Sequence, residues 1–258
     1  MRNYLILVFL PTFVFSINKI IKIDNSLYIK KLESDKNTHI GFIAIHNNET
    51  DAIKTLISAV EDYGGIGYIF LNISRPSQRI IGVKYNRFYF LYDPNRVFTK
   101  DGIIKTLMHY NRHFFYIKNS ALKYLSFISS KILNTIEIKK KKYIISLHNN
   151  VNKGNFSIKY FISNKYKTLF KRRDEPKNVV LVSQERLFEK FSDLDINLVL
   201  LNGKDDDGSL GYFCVKNNIP YINIETRFYD IKRQREILRK ILEKIKEDEY
   251  DFYYYVLW

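Results

Sequence analysis

Cysteine is nearly absent: Cys214 is the only one in 258 residues, so no disulfide can close within the chain. Stability must come from a packed core. Proline and glycine are also scarce, at 5 and 10. No Pro/Gly/Ser-rich linker divides the sequence and no internal repeat is visible, so its length points to one large α/β domain over residues 17–258. Acidic residues are outnumbered, 27 against 42 Lys and Arg, which leaves a net charge of +15. A surface of that sign attracts nucleic acid, anionic lipid or an acidic polymer such as cell wall. The lysines are scattered, however, and no nucleic-acid motif accompanies them. The run Lys139–Lys142 reads as a solvated loop, and no nucleic-acid partner is expected. Histidine is rare too, at five, so two histidines in equivalent positions carry weight.

Hydrophobic residues make up 46% of the chain, enough for a globular core. At the start, Arg2 precedes a nearly all-apolar run from Tyr4 to Phe15, and Val14 and Ser16 suit small-residue cleavage. Residues 1–16 are therefore expected to be a secretory signal peptide, which places the protein in the periplasm or outside the cell. The run is short for a membrane span, so no stable insertion is expected after cleavage; an uncleaved anchor is the alternative.

Residues 39–49 organise the rest. The apolar run Ile40–Ile45 ends abruptly in His46, Asn47, Asn48 and Glu49, and a helical pattern follows through Ala52, Leu56 and Val60. This reads as a buried strand, a polar turn and a helix that Gly64-Gly65 stops. On that turn, His46 and Glu49 stand three residues apart, so an imidazole and a carboxylate can reach one metal ion. Zinc accepts such ligands, and a catalytic zinc needs a third. Residues 143–148 form another apolar strand, and it ends in His148.

Further along, strands are expected over 66–72, twice within 79–91, and over 178–183, 197–201 and 220–226. Helices are expected within 102–135, at 185–191, from Gly208 to Lys216 and over 230–246. Residues 17–38 suggest one short strand near Leu27–Ile29, and 156–171 a hairpin or loop beside the cleft. His109 and His113, at i and i+4, lack an acidic third ligand. The run Asp205-Asp206-Asp207 lacks the distal Glu of a calcium loop and reads as a helix cap at Asp207. Glu225 lies within an apolar strand, where a carboxylate needs either an ion-pair partner or a catalytic use as general base. The alternation predicts a three-layer α/β/α sandwich around a mixed, mostly parallel sheet, with the site at strand carboxyl ends.

His46-x-x-Glu49, Asp93-Pro94-Asn95-Arg96, His148 and the strand glutamate at 225, in that order, resemble the zinc carboxypeptidase superfamily, including its aspartoacylase and succinylglutamate desuccinylase branch. The resemblance spans roughly residues 39–230. It implies one zinc ion held by His46, Glu49 and His148, a substrate carboxylate bound by Asn95 and Arg96, and Glu225 as the base that activates water. An arginine that polarises the scissile carbonyl is also implied, and Arg79 takes that place by its position upstream of the Asn-Arg pair. Pro94 replaces the usual Leu, Asn149 follows the second histidine where Ser is common, and no specificity-pocket tyrosine is located. The implied activity is hydrolysis of amide bonds in peptides, with N-acyl amino acid deacylation as the alternative substrate class and a non-catalytic binding protein as the alternative to an enzyme.

Overall fold

A computed structural model describes residues 17–36, 39–151, 154 and 156–256; the expected signal peptide, 1–16, lies outside them. The chain opens with an antiparallel pair, β1 (Ile17–Lys22) and β2 (Leu27–Glu33). One short strand near Leu27–Ile29 was too little. Lysines at 30 and 31 interrupt the apolar alternation of β2, yet Leu27, Ile29 and Leu32 are all buried. Next come β3 (Ile40–Ala44), α1 (Thr50–Tyr63) and β4 (Ile66–Asn72). Gly64, at φ 86°, ends α1 in a conformation that a side chain would resist.

A separate hairpin follows, β5 (Ile81–Tyr85) with β6 (Phe88–Tyr92), and a single 3-10 turn over Pro94–Arg96. Then come α2 (Lys100–Tyr110), α3 (Phe114–Thr135) and β7 (Tyr143–Asn150). Residues 156–171, expected as a hairpin or loop, instead hold α4 (Ile158–Ser163) and β8 (Lys167–Leu169). Only Ile158 and Phe161 of that helix are buried, too few to make a helical period readable. The chain closes with β9 (Val179–Val182), α5 (Glu185–Lys190), β10 (Leu198–Leu200), α6 (Leu210–Lys216), β11 (Tyr221–Arg227) and α7 (Ile231–Val256).

Nine strands form one mixed sheet in the order β1-β2-β4-β3-β7-β11-β9-β10-β8. Its centre, β4-β3-β7-β11, is parallel, and both flanks begin antiparallel. Alternation splits each central strand between two cores. Tyr68, Phe70, Ile144 and Tyr221 face Leu107, Leu125 and Leu210 of α2, α3 and α6. Ile69, Ile145, Leu147 and Ile222 face α1, α5 and α7. Helix α7 contributes Ile237, Leu238, Ile241, Leu242 and Ile245, a one-sided apolar stripe, and each buried side chain contributes about 1.5–3 kcal/mol. The layers are therefore helix, sheet, helix. Strand β7 is the middle strand of nine, with its first seven residues buried, and three adjacent parallel strands, β3, β7 and β11, bring their carboxyl ends together.

One close approach fixes the loop before α6 against the start of α2. Gly208, at φ 75°, carries a carbonyl that accepts from Phe98 N at 3.0 Å. A Cβ on Gly208 would lie 2.4 Å from Gly102 Cα and 2.7 Å from the Arg96 carbonyl oxygen. Gly208→Ala is therefore expected to cost at least about 2 kcal/mol through clash and left-handed strain combined. Chemical denaturation checks this, and a wild-type midpoint would contradict it.

Candidate metal centre

β3 ends at Ala44, and the chain turns through His46–Glu49, closed by Glu49 N donating to His46 O at 3.1 Å. Glu49 occupies the N-cap position of α1, yet its side chain makes no cap bond. The carboxylate turns inward instead. The cap is supplied from β7: Asn149 Oδ1 accepts from Ala52 N at 2.9 Å. Asn149 N in turn donates to Glu49 Oε2 at 3.1 Å. This exchange gives Asn149 a physical role: it clamps the start of α1 to the strand that carries His148.

His46 and His148 meet across the boundary between β3 and β7. Their Nδ1 atoms are 3.3 Å apart. Glu49 Oε1 lies 2.9 Å from His46 Nδ1, and Oε2 lies 3.0 Å from His148 Nδ1. All three residues are buried, and their ligand atoms fall within 4.8 Å of one another. Zinc about 2.0–2.1 Å from each tetrahedral ligand sets neighbouring ligands about 3.3 Å apart, so the donor set and its spacing fit that ion with little adjustment. The outer nitrogens are held as well. His46 Nε2 lies 3.0 Å from Asp93 Oδ1, and His148 Nε2 lies 3.1 Å from Ser146 Oγ. Such partners fix ring orientation and tautomer and leave Nδ1 for a ligand bond. His46 and Glu49 were legible as one motif, but Asp93's grip on His46 was not, because the 46 residues between His46 and Asp93 carry no pattern that pairs them. The sequence signal was its position at the end of β6, just before the Asn-Arg pair.

Arg79 enters from the loop between β4 and β5. Its Nη1 donates to Glu49 Oε1 at 3.1 Å and its Nε to Asp93 Oδ2 at 2.9 Å. Two buried carboxylates are thus spanned by one half-buried guanidinium. Burial opposes the charge on Glu49, but the two imidazoles hold its pKa far below the usual carboxylate range. Asp93 is likewise held well below its ordinary value against burial, by His46 and Arg79. For His46, burial lowers the pKa, and Glu49 and Asp93 overcome it to leave a net rise.

A cavity of about 660 Å³ opens beside this cluster, and Glu49, Arg79, Asn95, Arg96 and Glu225 all line it. Glu225 is in register with His148 on the adjacent parallel strand, so both side chains leave the sheet on one face. Its oxygen Oε1 accepts from Asn223 Nδ2 at 3.2 Å. Asn95 Oδ1 accepts from Leu210 N at the start of α6, and Arg96 Nη1 donates to Asp207 Oδ2 at 2.8 Å. The expected cap at Asp207 is corrected here. Ser209 caps α6, accepting from Tyr212 N at 3.1 Å, while Asp207 turns to Arg96. Residues 156–166 do border the cleft, through Phe156, Tyr160 and Tyr166. His109 and His113 are exposed on either side of the break between α2 and α3. Among the described residues, the grouping able to hold a metal is His46, Glu49 and His148.

No family model matches the sequence, and no curated protein matches it. Solved structures do. A metallo-carboxypeptidase from Burkholderia cenocepacia shares 9% identity at a TM-score of 0.49, over 91% of this chain and 65% of that one. The tripeptide-bound cell shape determinant Csd4 from Helicobacter pylori shares 12% at 0.47, over 86% and 55%. A succinylglutamate desuccinylase from Chromobacterium violaceum shares 12% at 0.40, over 80% and 63%. The chain thus spans between 55% and 65% of these proteins' lengths. Any reading of activity rests on the site itself.

Zinc is expected to bind wild-type protein at one ion per chain. Asp93→Asn, which keeps the shape but loses the carboxylate, is expected to weaken binding about 10–100-fold, and His148→Ala to weaken it further. Competition against a chelator measures both. Wild-type affinity in Asp93→Asn would contradict the orienting role.

Proposed function

We propose that the protein is a metal-dependent hydrolase of amide bonds, acting outside the cytoplasm on a peptide or related substrate that carries a free carboxylate. The observation that carries this reading is the convergence of His46, Glu49 and His148 beside a cavity that Glu49, the strand carboxylate Glu225 and two arginines line. His46 Nδ1, Glu49 and His148 Nδ1 would hold one zinc ion, which when bound lowers the pKa of a water and polarises a carbonyl.

The chain's own groups divide the remaining work. Glu225 lines the cavity outside the ligand set and leaves the sheet on the same face as His148, so it accepts the proton of the attacking water and returns it to the leaving amine. Arg79 has Nε and Nη1 committed to Asp93 and Glu49, which leaves Nη2 to support negative charge developing on the carbonyl oxygen. Arg96 binds the substrate carboxylate, a task for which a guanidinium has the right fork. Asp207 sits in that place at 2.8 Å, so an incoming carboxylate exchanges with it. Asn95 has its amide oxygen on α6, and its Nδ2 is the group that serves the ligand. A peptide is favoured over a small N-acyl amino acid by the size of the cavity, about 660 Å³, and by the aromatic side chains Phe156, Tyr160, Phe161 and Tyr166 that line it. The apolar sequence of residues 4–15 supports export.

Zinc-loaded protein assayed against matched peptides and N-acyl amino acids should cleave the peptides. Glu225→Gln is expected to lower kcat by about 10²–10⁴ while zinc remains bound. Turnover near the wild-type rate in that variant would remove Glu225 from the role of base, and no cleavage by the loaded wild type would remove the hydrolase reading.

A further inference from the structure

The corner formed by α2 and α3 lies outside the metal centre and carries four large apolar side chains in water. Phe115 is 85% exposed, Tyr116 81%, Phe127 63% and Met108 57%. Isolated exposed apolar residues are ordinary, but Met108, Phe115 and Tyr116 at one helical corner, with Phe127 about three turns further along α3, are not. Their spacing gives the reason. At 100° per residue, Phe115, Asn119, Lys123, Tyr116 and Phe127 fall on one arc of α3 about 120° wide, opposite the side that buries Phe114, Ile117, Ala121 and Leu125. Helix α3 is therefore apolar on its inner side and aromatic with lysine on its outer side.

The charge of this unit is one-sided as well. Residues 100–135 hold six lysines and arginines against one carboxylate, Asp101. Helix α3 contains no Asp or Glu. Arg112, Lys118 and Lys123 meet no carboxylate among the described residues; Lys118 lies over the Phe114 ring. Unpaired cations beside exposed rings match an anionic surface that also accepts apolar groups.

We propose that the α2–α3 corner docks on an anionic lipid bilayer, with Phe115, Tyr116 and Met108 entering the interface and Arg112 and Lys123 meeting the headgroups. Aromatic rings favour that boundary, and an anionic leaflet attracts each basic residue near it. Docking is peripheral, since no helix among the described residues is long and apolar enough to cross a membrane. A second copy of the chain is a poorer occupant, because it brings the same net charge of +15 to the contact. Nucleic acid matches the charge, but Phe115, Phe127 and Met108 would stay in water along a phosphate backbone.

Full-length protein is tested by flotation with phosphatidylcholine vesicles, with and without phosphatidylglycerol. Binding is expected to require phosphatidylglycerol and to weaken with salt. Phe115→Ser/Tyr116→Ser is expected to weaken it at least about tenfold, since two rings leave the interface. Arg112→Glu/Lys123→Glu is expected to remove the preference for the anionic lipid. Both pairs are exposed, and unchanged circular dichroism would establish that the variants fold. Both pairs also leave the metal centre untouched, so zinc binding stays at wild-type strength whichever way the vesicle result falls. Equal binding of the variants and the wild type overturns the proposal. So does a wild-type dimer that the aromatic pair dissolves, or an oligonucleotide complex that competes with vesicles and depends on the same residues.

Discussion

A buried, ionised carboxylate has to be surrounded by donors, and Glu49 shows how completely this chain meets that demand. Its two oxygens accept from Arg79 and the backbone of Asn149 and lie beside the Nδ1 atoms of His46 and His148, all within 3.1 Å. A lone charge in such a place would cost several kcal/mol, so every element that supplies a donor is held in position by the others. Strand β3 delivers His46, β7 delivers His148 and Asn149, and the loop after β4 delivers Arg79. Helix α1 starts where it does because Asn149 supplies the cap that Glu49 does not. The site and the packing of the central strands are one structure.

The sheet order explains why residues from four distant parts of the sequence converge. Strands β3, β7 and β11 are consecutive neighbours, all parallel, so their carboxyl ends lie on one edge. His46 follows the end of β3 closely, while His148 and Glu225 lie near the carboxyl ends of β7 and β11 themselves. The β5–β6 hairpin is a separate two-stranded sheet. It brings Asp93 to His46 and then Asn95 and Arg96 to the cavity, where the Gly102–Gly208 approach packs them against the loop that carries Asp207.

Strand ends were readable in the sequence because an apolar run stopped by histidine is a sharp local signal, which singles out His46, Glu49 and His148, whereas Glu225 stands out as a carboxylate within an apolar strand. The central strands and the long helices α1, α3 and α7 were readable for the same reason, through strong periodicity. What the sequence concealed are pairings between distant residues. Asp93 with His46 and Asp207 with Arg96 depend on which loops the fold brings together, and no local pattern encodes that. Strand β1 was missed because Asn18, Lys19 and Lys22 mask the alternation of an edge strand. Helix α4 was missed because six residues hold less than two turns of period. Asn149 looked like a departure from a pattern, and its backbone and side chain explain it as the clamp between helix and strand.

One ion bound by two Nδ1 atoms and a carboxylate is the centre on which the proposed chemistry depends. X-ray absorption at the zinc edge on the loaded protein reads that directly. The prediction is a four-coordinate shell of two imidazoles and light oxygen donors, at about 2.0–2.1 Å, with no sulfur. One histidine or none in the shell, or a sulfur from Cys214, would contradict it.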